Sequence, residues 1–192
     1  MTELVDQIIA SLQTEGQRSY GERLTILEHS LQSAWLAQQD GASETLVLAS
    51  LLHDYGHLIH GMGEDIADRG IDAAHEEIGA NCLSRHFPET ISESIRLHGA
   101  AKRYLCTTDP DYHGQLSEAS LQSLALQGGP MTDAEVRSWQ AKPHFEDALK
   151  LRRYDDEGKV PELEVPNQES YRPLLENHLS PTGMTETLLP TP

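Results

Sequence analysis

Six side chains, His29, His53, Asp54, His75, His98 and Asp155, follow one another along the chain in an order that suits a single two-metal pocket inside a helical bundle. They are imidazoles and carboxylates with no thiolate among them, the donor set that iron, manganese, zinc or cobalt use for hydrolysis or oxygen chemistry. The adjacent pair His53-Asp54 carries most of the information. A carboxylate beside a histidine ligand can bridge to a second ion roughly 3.5 to 4 Å from the first, and one ion would not need six donors. His29, His75 and His98 each fall on a separate helical stretch among apolar residues, where any one alone reads more readily as a core histidine. Asp155 is one of three consecutive acids and is also open to a reading as a solvated turn. His53 and His57 are four apart, which on one helix places them on a shared face one turn from each other.

The elements that must position these groups read as nearly all helix. Leu4, Ile8, Ile9 and Leu12 form an apolar stripe at helical spacing that ends at Gly16. A second helix is predicted from near Glu22 to Gly41, with Leu24, Leu27, Leu31 and Trp35 inward. Ser43 caps a third, whose run Leu46 to Leu52 is apolar on nearly every side and therefore central. His53-Asp54-Tyr55-Gly56-His57 closes that run, where a charged aspartate is costly to bury without a partner such as a metal. Gly61 to Gly70 reads as a loop. Asp72 is expected to cap a helix carrying His75, Ile78 and Leu83 that Pro88 closes. Thr90-Ile91-Ser92-Glu93 reads as a capping box for the helix carrying Ile95, Leu97 and His98, and Thr132 to Glu135 as a second one. Between them Ser117 opens a short helix that ends at Gly128-Gly129-Pro130. Phe145, Leu149 and Leu151 lead to Asp155, a proline-containing loop follows, and Tyr171 to Leu179 allows a last short helix. No segment reads as a strand, so the expected class is all-α, with residues 1-179 as one domain and 180-192 as a frayed tail.

At 192 residues the chain is long enough to bury a sizeable core. Its net charge of -17 argues against nucleic acid or an anionic membrane surface as a partner. No apolar run approaches the roughly 18 residues of a membrane span and no basic-then-apolar leader opens the chain, so a cytoplasmic location is expected. Cys82 and Cys106 are too few for a disulfide framework and read as buried reduced thiols. Six of the 14 basic residues lie in two short stretches, Arg96, Lys102 and Arg103, and Lys150, Arg152 and Arg153. Each stretch is close in sequence to a proposed ligand.

With these residues in view, the chain resembles the HD-domain superfamily, named for its His-Asp dyad. More narrowly it resembles the mixed-valence diiron oxygenases of the PhnZ/TmpB type, which cleave carbon-phosphorus bonds, and it is most similar to the TmpB kind. The likeness runs from about Tyr20 to His178. It is carried by Leu27-Glu28-His29-Ser30-Leu31-Gln32, by Leu51 to His57, by His98-Gly99-Ala100-Ala101-Lys102-Arg103-Tyr104-Leu105 and by Gln127-Gly128-Gly129-Pro130-Met131. The resemblance implies an HD-domain helical bundle with a dinuclear site in its core and two Fe ions as Fe(II)/Fe(III). It implies that His29, His53 and Asp155 bind one iron, that His75 and His98 bind the other, and that Asp54 bridges them. It further implies that His57, Lys102, Ser120, Ser123 and Arg152 hold an anionic phosphonate, with Asp54, His57 and Lys102 as the catalytic set. Tyr20 and Glu22 are similar to the tyrosine and glutamate that cover the second iron in that type until substrate displaces them. Tyr20 stands one residue closer to Glu22 than the family pattern has it.

Lys102 and Arg152 agree with the charge distribution, since a doubly charged small anion needs cations in an otherwise acidic protein. The expected reaction uses dioxygen to convert 1-hydroxy-2-(trimethylammonio)ethylphosphonate to glycine betaine and phosphate. A primary-amine substrate, 2-amino-1-hydroxyethylphosphonate giving glycine, stays open beside it. A hydrolytic HD enzyme with the same ligands is the main rival, an inositol-cleaving oxygenase a weaker one, and a non-catalytic module leaves the basic stretches without a role.

Overall fold

A computed structural model describes residues 2–19, 23–59, 61 and 69–180. The expected roles of Tyr20 and Glu22, most of the Gly61 to Gly70 loop and the C-terminal tail from residue 181 lie outside the described residues. Among those described there are ten α-helices and no strand: α1 Thr2–Thr14, α2 Ile26–Gln39, α3 Glu44–Leu52, α4 Tyr55–Ile59, α5 His75–Leu83, α6 Glu89–Thr108, α7 Glu118–Leu126, α8 Asp133–Gln140, α9 Phe145–Glu157 and α10 Arg172–His178.

Helix α3 is the axis of the bundle. Leu46 to Leu52 are all buried, and the helix packs between α2, α6 and α9. One apolar core joins α1, α2, α3, the first half of α6 and α10 through Val5, Ile8, Leu48, Leu51, Ile91 and Leu175. A second, smaller one joins the far half of α6 to α8 and α9 through Tyr104, Leu105, Trp139 and Ala148. Helix α6 runs through both, and its pairing with α9 carries a row of polar side chains between them.

Several expected boundaries move, each for a local reason. Helix α2 begins at Ile26, not near Glu22, because Thr25 accepts the Glu28 N–H at 3.2 Å while the Glu28 carboxylate takes the Thr25 N–H at 2.8 Å. That closed capping box fixes the start. Trp35 is half-buried where it was expected inward. The box expected at Thr90 does not form. Pro88, with φ -56° and ψ 150°, is already the N-cap, so Thr90 lies inside α6. Asp72 does not cap α5 either. Its carboxylate accepts the Ala74 N–H at 3.0 Å, and Ala74, with φ 47°, turns the chain into the helix at His75. The Thr132 box, the Ser43 cap and the Ser117 cap form as expected. Cys82 and Cys106 form no disulfide and are half-buried, not fully enclosed. No helix among the described residues is long and apolar enough to cross a membrane.

Candidate metal centre

The six expected ligands converge. His29 comes from α2, His53 and Asp54 from the junction of α3 and α4, His75 from the first residue of α5, His98 from α6 and Asp155 from the last turn of α9. All are buried except His75, whose side chain is 14% exposed. The junction departs from the continuous helix that the His53-His57 spacing suggests. Helix α3 stops at Leu52 and α4 restarts at Tyr55, with the His57 N–H bonded to the Asp54 carbonyl at 2.9 Å. In an unbroken helix neighbouring side chains diverge by about 100°. The break lets His53 Nε2 and Asp54 Oδ2 approach to 3.5 Å. His57 nevertheless reaches the centre, stacked on the His75 ring at 4.1 Å between centroids.

Glycines set the reach of His75. A Cβ on Gly56 would lie 2.0 Å from the His75 carbonyl oxygen, and one on Gly79 would lie 3.0 Å from the Gly56 nitrogen. Helices α4 and α5 therefore cross backbone to backbone, and that contact carries His75 to within 3.3 Å of Asp54 Oδ1.

Each of three imidazoles is aimed from behind. Nδ1 donates to a backbone carbonyl in His29 (Gly158, 2.9 Å), in His53 (Ser50, 2.8 Å) and in His98 (Ile95, 2.7 Å). Those bonds fix the tautomer and turn an Nε2 lone pair inward. The Gly158 carbonyl is itself held in place, because the Gln32 amide brackets Val160 with a donated bond of 2.8 Å and an accepted one of 3.0 Å. Nε2 of His29 and Nε2 of His53 are 3.0 Å apart, and those of His75 and His98 3.1 Å.

Two donor sets result. His29, His53 and Asp54 form one, and Asp54, His75 and His98 the other. Asp54 Oδ2 lies 3.6 Å from His29 Nε2, and Oδ1 faces His75, so one carboxylate serves both. Asp155 Oδ1 adds to the first set at 3.3 Å from His29 Nε2. The residues fit metal ions. Two nitrogens about 3 Å apart match adjacent ligands on an ion with metal-nitrogen bonds of about 2.1 Å, a spacing at which a proton or a metal ion must lie between them.

Burial, followed by neighbouring imidazole charge, pushes His98 down to about 3, and burial also lowers His53. Burial would raise Asp54 and Asp155, but His53 and His75 hold the first well below the usual carboxylate range, and Arg152 and Lys159 the second. At His29 and His75 burial opposes the proton. The hydrogen bond to Asp155 with the charges of Asp155 and Asp54 at His29, and the hydrogen bond to Asp54 with the charges of Glu76 and Asp54 at His75, together outweigh it and raise both, so a metal there competes with a proton.

Of the six clustered cations only Lys102 and Arg152 turn inward, both 3% exposed. Arg96 pairs outward with Glu77 and Glu93, Arg103 with Glu135, and Arg153 with Asp109. Lys102 Nζ donates to Ser123 Oγ at 2.5 Å, and Arg152 to Ser120 Oγ at 3.3 Å. Burial, then the Arg152 charge, brings Lys102 down to about 8. Arg152 also grips Asp155 at 2.6 Å, as well as Asp156 and the Tyr112 hydroxyl, so it braces the first donor set while one edge faces Ser120.

Sequence reasoning missed Lys159. Its ammonium lies 3.3 Å from Ser120 Oγ and 3.6 Å from Asp155 Oδ1, and the only available signal was its i+4 spacing from Asp155. Beside it opens a cavity of about 500 Å³, also lined by Arg23, Leu24, Gln115, Ser117, Glu118, Asp156 and Pro161.

The family model described as "HD domain" matches residues 26–136. The chain belongs to the HD-domain family. It is 40% identical over 174 residues to the 1-hydroxy-2-(trimethylamino)ethylphosphonate dioxygenase (glycine-betaine-forming) of Leisingera caerulea, covering 90% of this chain and 89% of that one. It is 42% identical over 178 residues to the hydroxymethylphosphonate dioxygenase of Gimesia maris, covering 92% and 89%. An uncharacterised protein of Acanthamoeba polyphaga mimivirus is 36% identical over 179 residues, covering 92% and 82%. Asp155, Arg152 and Lys159 lie beyond the matched HD-domain segment, but α9 and the residues just after it bring them against it. The buried His/Asp cluster of this HD domain, together with dioxygenase relatives, points to a metal-dependent oxidoreductase.

Proposed function

We propose that this HD-domain protein holds two iron ions, as Fe(II)/Fe(III), and uses dioxygen to cleave the carbon-phosphorus bond of 1-hydroxy-2-(trimethylammonio)ethylphosphonate. The observation that carries the reading is Asp54, whose two oxygens face different histidine pairs. His29, His53 and Asp155 would hold one ion, His75 and His98 the other, with Asp54 shared. When bound, the pair would lend dioxygen one electron and regain it by the end of turnover, which lets triplet oxygen react with a closed-shell alcohol.

The chain's own part is to bind and orient. Lys102 with Ser123, and Arg152 with Ser120, offer donors from α6, α9 and α7 to the phosphonate oxygens. His57, stacked on His75, stands at the second donor set and caps the phosphonate from the α4 side. The adjoining cavity sets the carboxylates of Glu118 and Asp156 beside the cations Arg23 and Lys159, with apolar Leu24 and Pro161. The trimethylammonio group is chosen on the likeness to the Leisingera caerulea dioxygenase. The reaction balances with dioxygen alone. One oxygen atom goes to the carbinol carbon, making a carboxylate, and one to phosphorus, making phosphate as the bond between them breaks.

The test is phosphate release from protein loaded anaerobically with Fe(II), partly oxidised, and given this substrate, 2-amino-1-hydroxyethylphosphonate or hydroxymethylphosphonate. Release confined to oxygenated samples and fastest with the trimethylammonio compound is expected. Equal release under argon would replace the oxygenase by a hydrolase, and a faster amine or hydroxymethyl substrate would overturn the substrate assignment.

A further inference from the structure

Three of the four converging histidines lean on backbone carbonyls; His75 does not. Its Nδ1 lies 3.4 Å from Oε2 of Glu76, the next residue in the chain. Acids in a first helical turn ordinarily face solvent. This side chain is only 13% exposed, and Oε2 is enclosed with no hydrogen-bond partner of its own. Among the described residues no lysine or arginine lies within ion-pair distance of it. Asp155, at the other donor set, is by contrast paired with both Arg152 and Lys159.

The slot that receives Glu76 is built from residues that neither the metal nor the phosphonate uses. Its Oε1 lies over Gly99, where a Cβ would come within 2.7 Å, and Gln127 Nε2 reaches the same oxygen at 3.4 Å. Gly99 follows His98 in α6, and Gln127 closes α7. Two of the sequence blocks that stand out in this chain thus meet at one carboxylate.

We infer that Glu76 is a positioning residue for the second ion: it flanks the Nδ1 side of the His75 ring, and its charge enriches that imidazole, so that the His75/His98 subsite holds the more highly charged, ferric member of the pair. The inference rests on the two-iron reading. A carboxylate behind a ligating imidazole makes it a stronger donor and fixes its orientation. At the first subsite the Asp155 charge is directly paired with two cations, whereas Glu76 faces Lys102 only beyond ion-pair distance, and that difference is the asymmetry between the subsites.

The experiment titrates metal-free protein with Co(II), followed by its visible ligand-field bands, and then measures the midpoint potential of the iron-loaded pair with its mixed-valence electron paramagnetic resonance signal. Glu76→Gln is expected to weaken the second Co(II) site about 10- to 100-fold, leave the first unchanged, raise the midpoint potential and shrink the mixed-valence signal. Gly99→Ala, which pushes Oε1 aside, is expected to do the same and serves if Glu76→Gln does not fold. Glu77→Gln, an exposed neighbour paired with Arg96, is expected to change nothing. Two unaltered sites with an unaltered potential in Glu76→Gln would overturn the proposal, as would loss of both sites together in both variants. A wild type that binds one ion only would sink the two-iron reading itself, and that is seen before any variant is made.

Discussion

Asp54 gives each of its oxygens to a different histidine pair, so removing one charge there touches both ions at once. Asp54→Asn is expected to lower bound metal from two ions to one or none per chain by elemental analysis, and to abolish phosphate release. Two retained ions would show that the pair does not need this bridge. Lys102 acts differently, because it holds no metal and sits in its own pocket with Ser123. Lys102→Met should leave metal content intact and raise KM roughly 10- to 100-fold, the range for a lost charge-assisted bond. Its ammonium, brought down to about 8 by burial and Arg152, is charged below that pH and neutral above it. The kcat/KM of the wild type is therefore expected to fall as pH climbs through about 8, since the free enzyme's groups set that profile. Lys102→Arg should carry the decline to higher pH, and an unchanged alkaline limb in that variant would remove Lys102 from the binding role.

At the scale of elements, the contact of α4 with α5 decides whether the second donor set exists. Gly56→Ala places a methyl 2.0 Å from the His75 carbonyl, so the helices must part. Overpacking of this kind costs about 1 to 3 kcal/mol. A lower melting temperature is expected, with preferential loss of one of the two metals, and full double occupancy would contradict the importance of the crossing. The helices themselves were largely legible in the sequence, because apolar residues at helical spacing, Ser43, Ser117 and the Thr132 box are local signals. The convergence of the His and Asp side chains was legible too, since an Asp at the end of an apolar helix beside three separated histidines asks for partners. What stayed hidden depends on distant partners. The break at His53-Asp54, the backbone crossing at Gly56 and Gly79, the Gln32 clamp on Val160 and the Gly99 slot for Glu76 all join segments far apart in the chain. The Thr90 box looked locally sound, and Pro88 overrode it. Lys159 carried no mark beyond its spacing from an acid.

For the whole molecule, the buried carboxylates and imidazoles at its centre converge only in the folded chain, so metal binding is linked to folding. Ions that bind only the folded chain stabilise it by about 2.7 kcal/mol at a hundred times Kd, or roughly 5 to 10 °C in Tm for a chain of this size. Calorimetry with and without Fe(II) or Co(II) should show that rise, reversed by a chelator, and an unchanged Tm would mean that the cluster does not bind metal tightly. The outward ion pairs of Arg96, Arg103 and Arg153 leave Lys102, Arg152 and Lys159 as the cations at the site. Association with a small dianion should therefore weaken only modestly with salt, because buried charges are screened little. The most direct measurement of the central claim is turnover of the trimethylammonio substrate under 18O2 in ordinary water, with both products weighed by mass spectrometry. One heavy atom in the carboxylate of glycine betaine and one in phosphate is the expected result; products carrying oxygen from water alone would contradict it.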